Sequence, residues 1–300
     1  MRALPQYLYE IGLFGHVPEG RYKTFAGTIR KLAKPLGLKS QIKVRKESQF
    51  APRLDYASAV VFFGKMGKKF DDAVLKRLMD AGTPVLPVVE DLKAFSASVP
   101  ACLKPINGLL HPPGDANYLK SANLALQSLG LLPKQRRVFL SYRQAQSRAA
   151  AVQLFEHLSS LNFDVFLDTH GVPPGEDFQE VLWHRLSDSD VLVMLDTAGY
   201  FDSRWTKEEF GKALAQSLQP VRIGWPGVTR SDRAYVTEDI QLKSSDFRRG
   251  KQTLQPRVLE EVAFAIERAR SRGIAVRSAE LTDAVKLAVS KVGGTFLGLS

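Results

Sequence analysis

Two segments of the chain share one pattern: Ser58-Ala59-Val60-Val61-Phe62-Phe63 and Ser189-Asp190-Val191-Leu192-Val193-Met194. Each is an apolar run of strand length, is followed by residues with helical periodicity, and leads to a further strand that begins at Pro84 or Pro220. Strands that alternate with helices are typical of parallel α/β sheets. The pattern therefore predicts two α/β layers of similar design. An internal duplication is one interpretation, and convergence of two doubly wound folds is the other.

The same alternation extends outward from both segments. In the first half it predicts strands over 7–14, 41–44, 57–63 and 84–89, with helices over 22–36 and 71–81. In the second half it predicts strands over 137–142, 164–167, 191–195 and 221–224, with helices over 148–161, 177–186 and 206–218. Near the end it predicts helices over 258–271, stopped by Gly273, and over 281–292. The expected fold class is α/β: two flavodoxin-like three-layer parallel-sheet domains plus C-terminal helices.

Turn residues over 130–135 mark the boundary between the two halves. We expect a basic sensor or docking domain over 1–132, a second α/β domain over 133–272, and a C-terminal tail, helical in character, over 273–300. A length of 300 residues is sufficient for two ordinary domains.

The composition excludes several classes of protein. Cys102 is the single cysteine, which excludes a disulfide framework and a cysteine-built zinc site, and the histidines have no ligand spacing, so no metal is expected. No apolar run approaches the roughly 18 residues of a spanning helix, and the start of the chain lacks the pattern of a secretory signal. We therefore expect no membrane partner and a cytoplasmic location.

The formal net charge of +11 is concentrated in the first half. Residues 1–134 contain 20 Lys and Arg against 10 Asp and Glu, whereas the rest of the chain contains 22 against 21. Between Arg21 and Arg53, ten cations accompany one anion, Glu47. This density fits nucleic acid, nucleotide phosphates or an acidic protein surface as partners, and it equally fits a solvated basic face.

Five segments of the second half occur in a characteristic order. They are Val138-Phe139-Leu140-Ser141-Tyr142-Arg143, Val165-Phe166-Leu167-Asp168, a Gly/Pro loop over 171–175, the strand over 191–195, and Asp202-Ser203-Arg204-Trp205-Thr206-Lys207-Glu208-Glu209. In order and spacing, residues 136–225 resemble the Toll/interleukin-1 receptor (TIR) domain. They are most similar to the NAD-cleaving branch of bacterial immune proteins and of the animal axon-degeneration protein. The resemblance implies a TIR domain in the second half, in which a W-x-x-x-E motif carries the catalytic glutamate. The first half, over 1–132, is then either TIR-like or flavodoxin-like.

Trp205 and Glu209 match this motif. Four residues turn a helix through about 400°, so the two side chains share one face, whereas Glu208 is rotated by roughly 100°. An indole beside a carboxylate suits a flat cationic ring joined to a sugar. The alternative for Glu209 is a capping box with Thr206, in which the carboxylate bonds back to the helix terminus.

Other candidates lie where the strands end, because open α/β sheets bind ligands at the carboxyl ends of their strands. We expect Arg143 to hold a pyrophosphate, Tyr142 to stack on a base and Asp168 to bond ribose hydroxyls. Their alternative roles are a surface cation, an interior tyrosine and a turn cap. The resemblance adds Phe178 to the pocket lining, and Gly175 lies in a loop that in the family packs against a neighbouring subunit and permits close backbone approach.

The resemblance implies an NAD+ glycohydrolase or cyclase that breaks the nicotinamide–ribose bond after TIR self-association, in bacterial immunity by NAD depletion or nucleotide signalling. NAD would be substrate, and no cofactor is expected. A downstream effector or sensor protein is a further expected partner. One alternative is a non-enzymatic TIR adaptor. The other is a nucleic-acid-binding module in the basic half, with Tyr22 and Phe25 stacking on bases if they are exposed.

Overall fold

The computed structural model describes residues 7–52, 56–112, 117–132, 135–167, 185–200, 218–230, 238–250 and 252–291. The chain divides into two compact units. The first is Met1–Leu132 together with Ile274–Ser300, and the second is Pro133–Gly273.

The first unit contains a parallel sheet with helices on its connections. Its strands are β1 (Tyr9–Gly15), β2 (Ile42–Lys46), β3 (Ala57–Phe63), β4 (Val85–Val89) and β5 (Leu109–Leu110), in the order β2-β1-β3-β4-β5. Its helices are α1 (Glu19–Ala33), α2 (Ala73–Asp80), α3 (Phe95–Ser98) and α4 (Leu119–Ser128). The apolar residues of α1 recur at helical spacing and are buried, namely Phe25, Ala26, Ile29 and Ala33.

The second unit repeats this topology. Its strands are β6 (Arg137–Ser141), β7 (Asp164–Leu167), β8 (Val191–Asp196), β9 (Gln219–Gly224) and β10 (Glu238–Gln241), in the order β10-β9-β8-β6-β7. The helix α5 (Gln144–Ser160) follows β6. In both sheets the third strand lies at the centre, beside the first, which is the flavodoxin-like order. The predicted fold class is thus confirmed as two parallel-sheet α/β domains.

The two segments that predicted the fold form the two central strands. All six residues of β8 are buried, and six of the seven residues of β3 are buried. A strand buried on both faces needs a continuous apolar run rather than an alternating one, which is what both segments provide.

The end of the second unit departs from the prediction. One helix of 36 residues, α6 (Pro256–Lys291), replaces the two predicted helices and passes through Gly273 without stopping. A glycine inside a helix costs only about 1 kcal/mol relative to alanine. A Cβ at Gly273 would lie 2.7 Å from Cγ of Gln219 at the start of β9, so this glycine permits close packing and does not end the helix. Among the described residues, no helix is long and apolar enough to cross a bilayer.

From Ile274 onward, α6 belongs to the first unit, where it packs on the turn after α2. Ser278 Oγ donates a hydrogen bond to the carbonyl oxygen of Gly82 at 2.5 Å, and Lys286 Nζ donates to the carbonyl oxygen of Asp80. Gly82 has φ +81°, a conformation that favours glycine. The turn after α2 is therefore shaped to receive this part of the helix.

We expect Gly82→Ala to loosen this contact. A Cβ there would lie 2.7 Å from both the Ser278 carbonyl oxygen and Thr282 Oγ1, and the overpacking and strained backbone together cost about 2 to 3 kcal/mol. Amide hydrogen exchange over 274–291 should accelerate by at least tenfold. Gly67→Ala is the matched control, because Gly67 also has positive φ but has open space around its Cβ position. Equal exchange over 274–291 in both variants would contradict a packing role for Gly82.

Candidate functional site

The carboxyl edge of the second sheet contains its switch point, where the connections leaving β6 and β8 run in opposite directions across the sheet. The two strands pair in parallel, with Ser141 opposite Met194. The residues after them, Tyr142 and Arg143 on one side and the segment 197–200 on the other, therefore lie at the same edge. Ligands of open α/β sheets bind at this position.

Arg143 presents an exposed cation at this edge. It is the N-cap of α5, with extended backbone, and its carbonyl oxygen accepts a hydrogen bond from Ser147 N at 3.1 Å. Its guanidinium donates from Nη1 to the carbonyl oxygen of Ala198 at 3.0 Å, which tethers it to the loop after β8. A guanidinium has five N–H donors, so one tether leaves capacity for an anion beside the positive end of a 17-residue helix.

Tyr142 has the interior role. Its side chain is 3% exposed and belongs to the hydrophobic core with Leu140, Ala150 and Leu154. In this position its ring lies among core side chains, so stacking on a base would require it to leave them. The expected ligand contact of Tyr142 is therefore not part of the described arrangement.

A second tyrosine, missed in the sequence analysis, joins the two loops of the edge. The hydroxyl of Tyr200 donates to Ser141 Oγ at 2.8 Å, and Ser141 is buried. This bond fixes the loop after β8 against the end of β6. Nothing in the local sequence indicates the pairing, because the residues are 59 positions apart.

A buried charge network lies under the same edge. Arg222, 1% exposed on β9, donates from Nε to Asp196 Oδ2 at 2.5 Å and from Nη1 to Asp239 Oδ1 at 2.9 Å and Gln241 Oε1 at 3.0 Å. A Cβ on Gly224 would lie 2.5 Å from the guanidinium nitrogens, so this glycine makes room for them. The network ties β8, β9 and β10 together where they end.

Burial raises the pKa of the Asp196 carboxyl, and the hydrogen bond from Arg222 opposes that shift. The hydrogen bonds of Arg222 to Asp196, Asp239 and Gln241 thus hold three neighbouring strands together at this edge. The sequence signal for it is a charged residue inside an apolar run, as at Arg222 in Pro-Val-Arg-Ile-Gly. Such residues are buried only when they have partners.

The remaining predicted site residues lie outside the described residues. They are Glu209, Trp205, Asp168, Gly175 and Phe178. Their roles stay predictions. Among the residues that are described, no group of three or more His, Cys, Asp or Glu side chains is placed to hold a metal ion.

Four of the ten cations of the basic run pair with carboxylates of the same unit. Arg21 pairs with Glu90, Arg45 with Glu10, and both Lys23 and Lys46 with Glu19. The aromatic candidates do not form a stacking surface. Phe25 is fully buried, and the Tyr22 hydroxyl donates to the carbonyl oxygen of Val44. These positions weaken the predicted stacking of Tyr22 and Phe25 on bases, and Phe25 belongs instead to the buried apolar stripe of α1.

Comparison with known proteins identifies a TIR domain over residues 138–259, which extends from β6 into α6. The disease resistance protein LAZ5 of Arabidopsis thaliana is 30% identical over 87 residues, which is 29% of this chain and 7% of the plant protein. The chain therefore matches only a small part of that relative. The match to the TIR family includes the positions of both Trp205 and Glu209, and TIR domains commonly self-associate.

Proposed function

We propose that the TIR domain cleaves NAD+ at the bond between nicotinamide and ribose. The observation that carries this proposal is the TIR match over 138–259, which includes the W-x-x-x-E pair Trp205 and Glu209. An exposed arginine at the switch point of the sheet, suited to a pyrophosphate, adds support from the described residues.

The chemistry requires little beyond one carboxylate. Nicotinamide leaves as a neutral base from a ring that already carries positive charge, so its departure needs no proton donor. The ribose becomes an oxocarbenium-like cation, which the Glu209 carboxylate would stabilise electrostatically or trap covalently. Water then gives ADP-ribose, whereas attack by the adenine of the same molecule gives a cyclic product.

Arg143 would hold the pyrophosphate while the glycosidic bond breaks. We expect Arg143→Ala to raise the KM for NAD+ by about tenfold, because a charge-assisted hydrogen bond contributes about 1.5 to 3 kcal/mol. The kcat should change by less than about threefold, because the pyrophosphate is remote from the reacting bond. Arg148→Ala is the control, since Arg148 is exposed on the same helix. Initial rates over a range of NAD+ concentrations measure both constants, and an unchanged KM in Arg143→Ala would contradict the role.

We propose further that assembly through the TIR domain switches the activity on, and that the protein acts in immunity by depleting NAD+ or by making a signalling nucleotide. The plant relative is a disease resistance protein, which supports an immune role. If assembly is required, specific activity should rise with protein concentration.

The test is incubation of the concentrated full-length protein with NAD+, followed by chromatographic separation of nicotinamide, ADP-ribose and cyclic products. Release of nicotinamide that depends on Glu209 supports the enzyme. Absence of turnover at every concentration at which the protein demonstrably self-associates would favour the non-enzymatic adaptor instead.

A further inference from the structure

The first unit has a switch point of its own. Its β1 and β3 are neighbours, and β2 and β4 flank them on opposite sides. Four polar side chains follow the carboxyl ends of its strands: His16 after β1, Lys65 after β3, Glu90 after β4 and His111 after β5. Four strands therefore bring ionisable side chains to the edge where such sheets bind ligands.

Arg21 links these residues into one cluster. Its Nη1 donates to the carbonyl oxygen of His16 at 2.7 Å, its Nη2 to Glu90 Oε1 at 3.0 Å and its Nε to the Tyr118 hydroxyl at 3.1 Å. Its guanidinium also lies 4.9 Å from the ring centroid of Phe63 at the end of β3. The Arg21 side chain is only 11% exposed, so a largely buried cation holds the cluster together.

Within the part of the chain that the structure describes, positive charge remains uncompensated on the solvent side of Arg21, at Lys65 and Lys68. Lys65 Nζ lies 3.4 Å from His16 Nε2, and both side chains reach solvent. Burial and the neighbouring cations Lys65, Arg21 and Lys68 lower the pKa of His16. Across the described residues, neither Lys65 nor Lys68 has a carboxylate within ion-pair distance. Two amines that have no carboxylate partner among the described residues, together with an imidazole, form a suitable donor set for a phosphate.

Aromatic and apolar side chains form another part of this edge. The His111 and Tyr118 rings stack, with centroids 4.3 Å apart and planes 12° apart. Large apolar side chains are exposed in the segments that follow β3 and β4 and at the start of α4: Met66 at 71%, Leu92 at 48% and Leu119 at 50%. Exposed apolar groups beside a cationic cluster suit a ligand that has both a phosphate and a flat, weakly polar ring.

We propose that the carboxyl edge of the first sheet is a binding site for a ribonucleoside monophosphate, or for that part of a larger nucleotide. Lys65 and His16 would bind the phosphate. Glu90 would accept hydrogen bonds from ribose hydroxyls, which a carboxylate also does in dinucleotide-binding sheets, while Arg21 holds its other oxygen. The base would contact the apolar rim. This site is separate from the one proposed for NAD+ cleavage and does not depend on it.

Isothermal titration of the full-length protein with each of the four ribonucleoside 5′-monophosphates, with adenosine and with inorganic phosphate tests the site. At least one monophosphate should bind at least tenfold more tightly than either adenosine or phosphate. Lys65→Ala should weaken binding of that nucleotide and of phosphate by at least tenfold. Glu90→Gln should weaken binding of the nucleotide without weakening that of phosphate, because the amide oxygen still accepts a hydrogen bond from Arg21 while the charged acceptor for the ribose hydroxyls is lost.

Two controls separate this site from others. Lys69→Ala removes an exposed amine from the same loop that does not contribute to the shift of His16, and it should change nucleotide binding by less than twofold. Arg143→Ala, in the second unit, should also leave this binding unchanged. The proposal is overturned if no monophosphate binds at about 1 mM, if phosphate binds as tightly as every nucleotide, or if Arg143→Ala rather than Lys65→Ala abolishes binding.

Discussion

Glu209→Gln is expected to reduce NAD+ turnover by about 10²- to 10³-fold, which corresponds to the roughly 2.7 to 4 kcal/mol that one well-placed electrostatic group contributes to a transition state. Glutamine keeps the size of the side chain and its hydrogen-bonding capacity but removes the negative charge. The charge matters at the point where the ribose has lost nicotinamide and carries a positive charge itself. The loss should therefore appear in kcat, with KM changed little.

Glu208→Gln is the matched control for this experiment. The two glutamates are adjacent in sequence and have the same charge, but on the predicted helix they would differ by about 100°, so that only Glu209 would share a face with Trp205. Turnover in Glu208→Gln should stay within about threefold of the wild type. Equal losses in both variants would indicate an effect on folding or assembly, and normal turnover in Glu209→Gln would assign the carboxylate to a helix cap.

The fold was predictable where one local pattern decides it. The apolar runs that form β3 and β8 are continuous rather than alternating with polar residues, and they are too short for a buried helix. Their strand character can therefore be predicted from the local sequence. The edge strand β5 escaped prediction because it is two residues long, and β10 escaped it because it reads Glu-Asp-Ile-Gln, without an apolar run. Their strand character comes from a neighbouring strand that pairs with them.

The helix α6 shows a different limit of sequence reasoning. Glycine after an apolar periodic stretch is a common helix end, and Gly273 has that context. Whether glycine stops a helix depends on what packs beside it, and here Gln219 approaches so closely that a side chain would clash. That contact joins residues 54 positions apart, so no local window contains it.

Only part of the candidate site was predictable from the sequence, because some of its contacts also join distant residues. Arg143 follows directly from the end of a strand, and the structure describes it as exposed at the carboxyl edge. Tyr142, its neighbour, points into the core because successive residues of an extended chain face opposite sides. The partners of Arg222 and of Tyr200 come from other elements, and only the folded topology brings them together.

Glu267→Gln is expected to destabilise the second unit by about 3 to 5 kcal/mol, the typical cost of leaving a buried charge without its partner. Glu267 lies between two arginines that are each 1% exposed. Arg136 donates to Glu267 Oε2 at 2.7 Å from Nη2, and Arg270 donates to Glu267 Oε1 at 3.3 Å from Nη1. Arg270 also donates from Nε to Asp190 Oδ2 at 2.8 Å, so the variant removes one carboxylate from a buried network of charges.

Urea unfolding followed by tryptophan fluorescence measures this loss for the second unit alone, because Trp183, Trp205 and Trp225 all lie between Pro133 and Gly273. Glu261→Gln is the control on the same helix, since Glu261 is exposed, and it should change the free energy of unfolding by less than about 0.5 kcal/mol. A loss below about 1 kcal/mol in Glu267→Gln would mean that water reaches the two arginines and solvates their charges. A large loss would instead show that Glu267 stabilises the packing of α6 on the sheet, because it neutralises Arg136 beside the start of β6 as well as Arg270 on α6 itself.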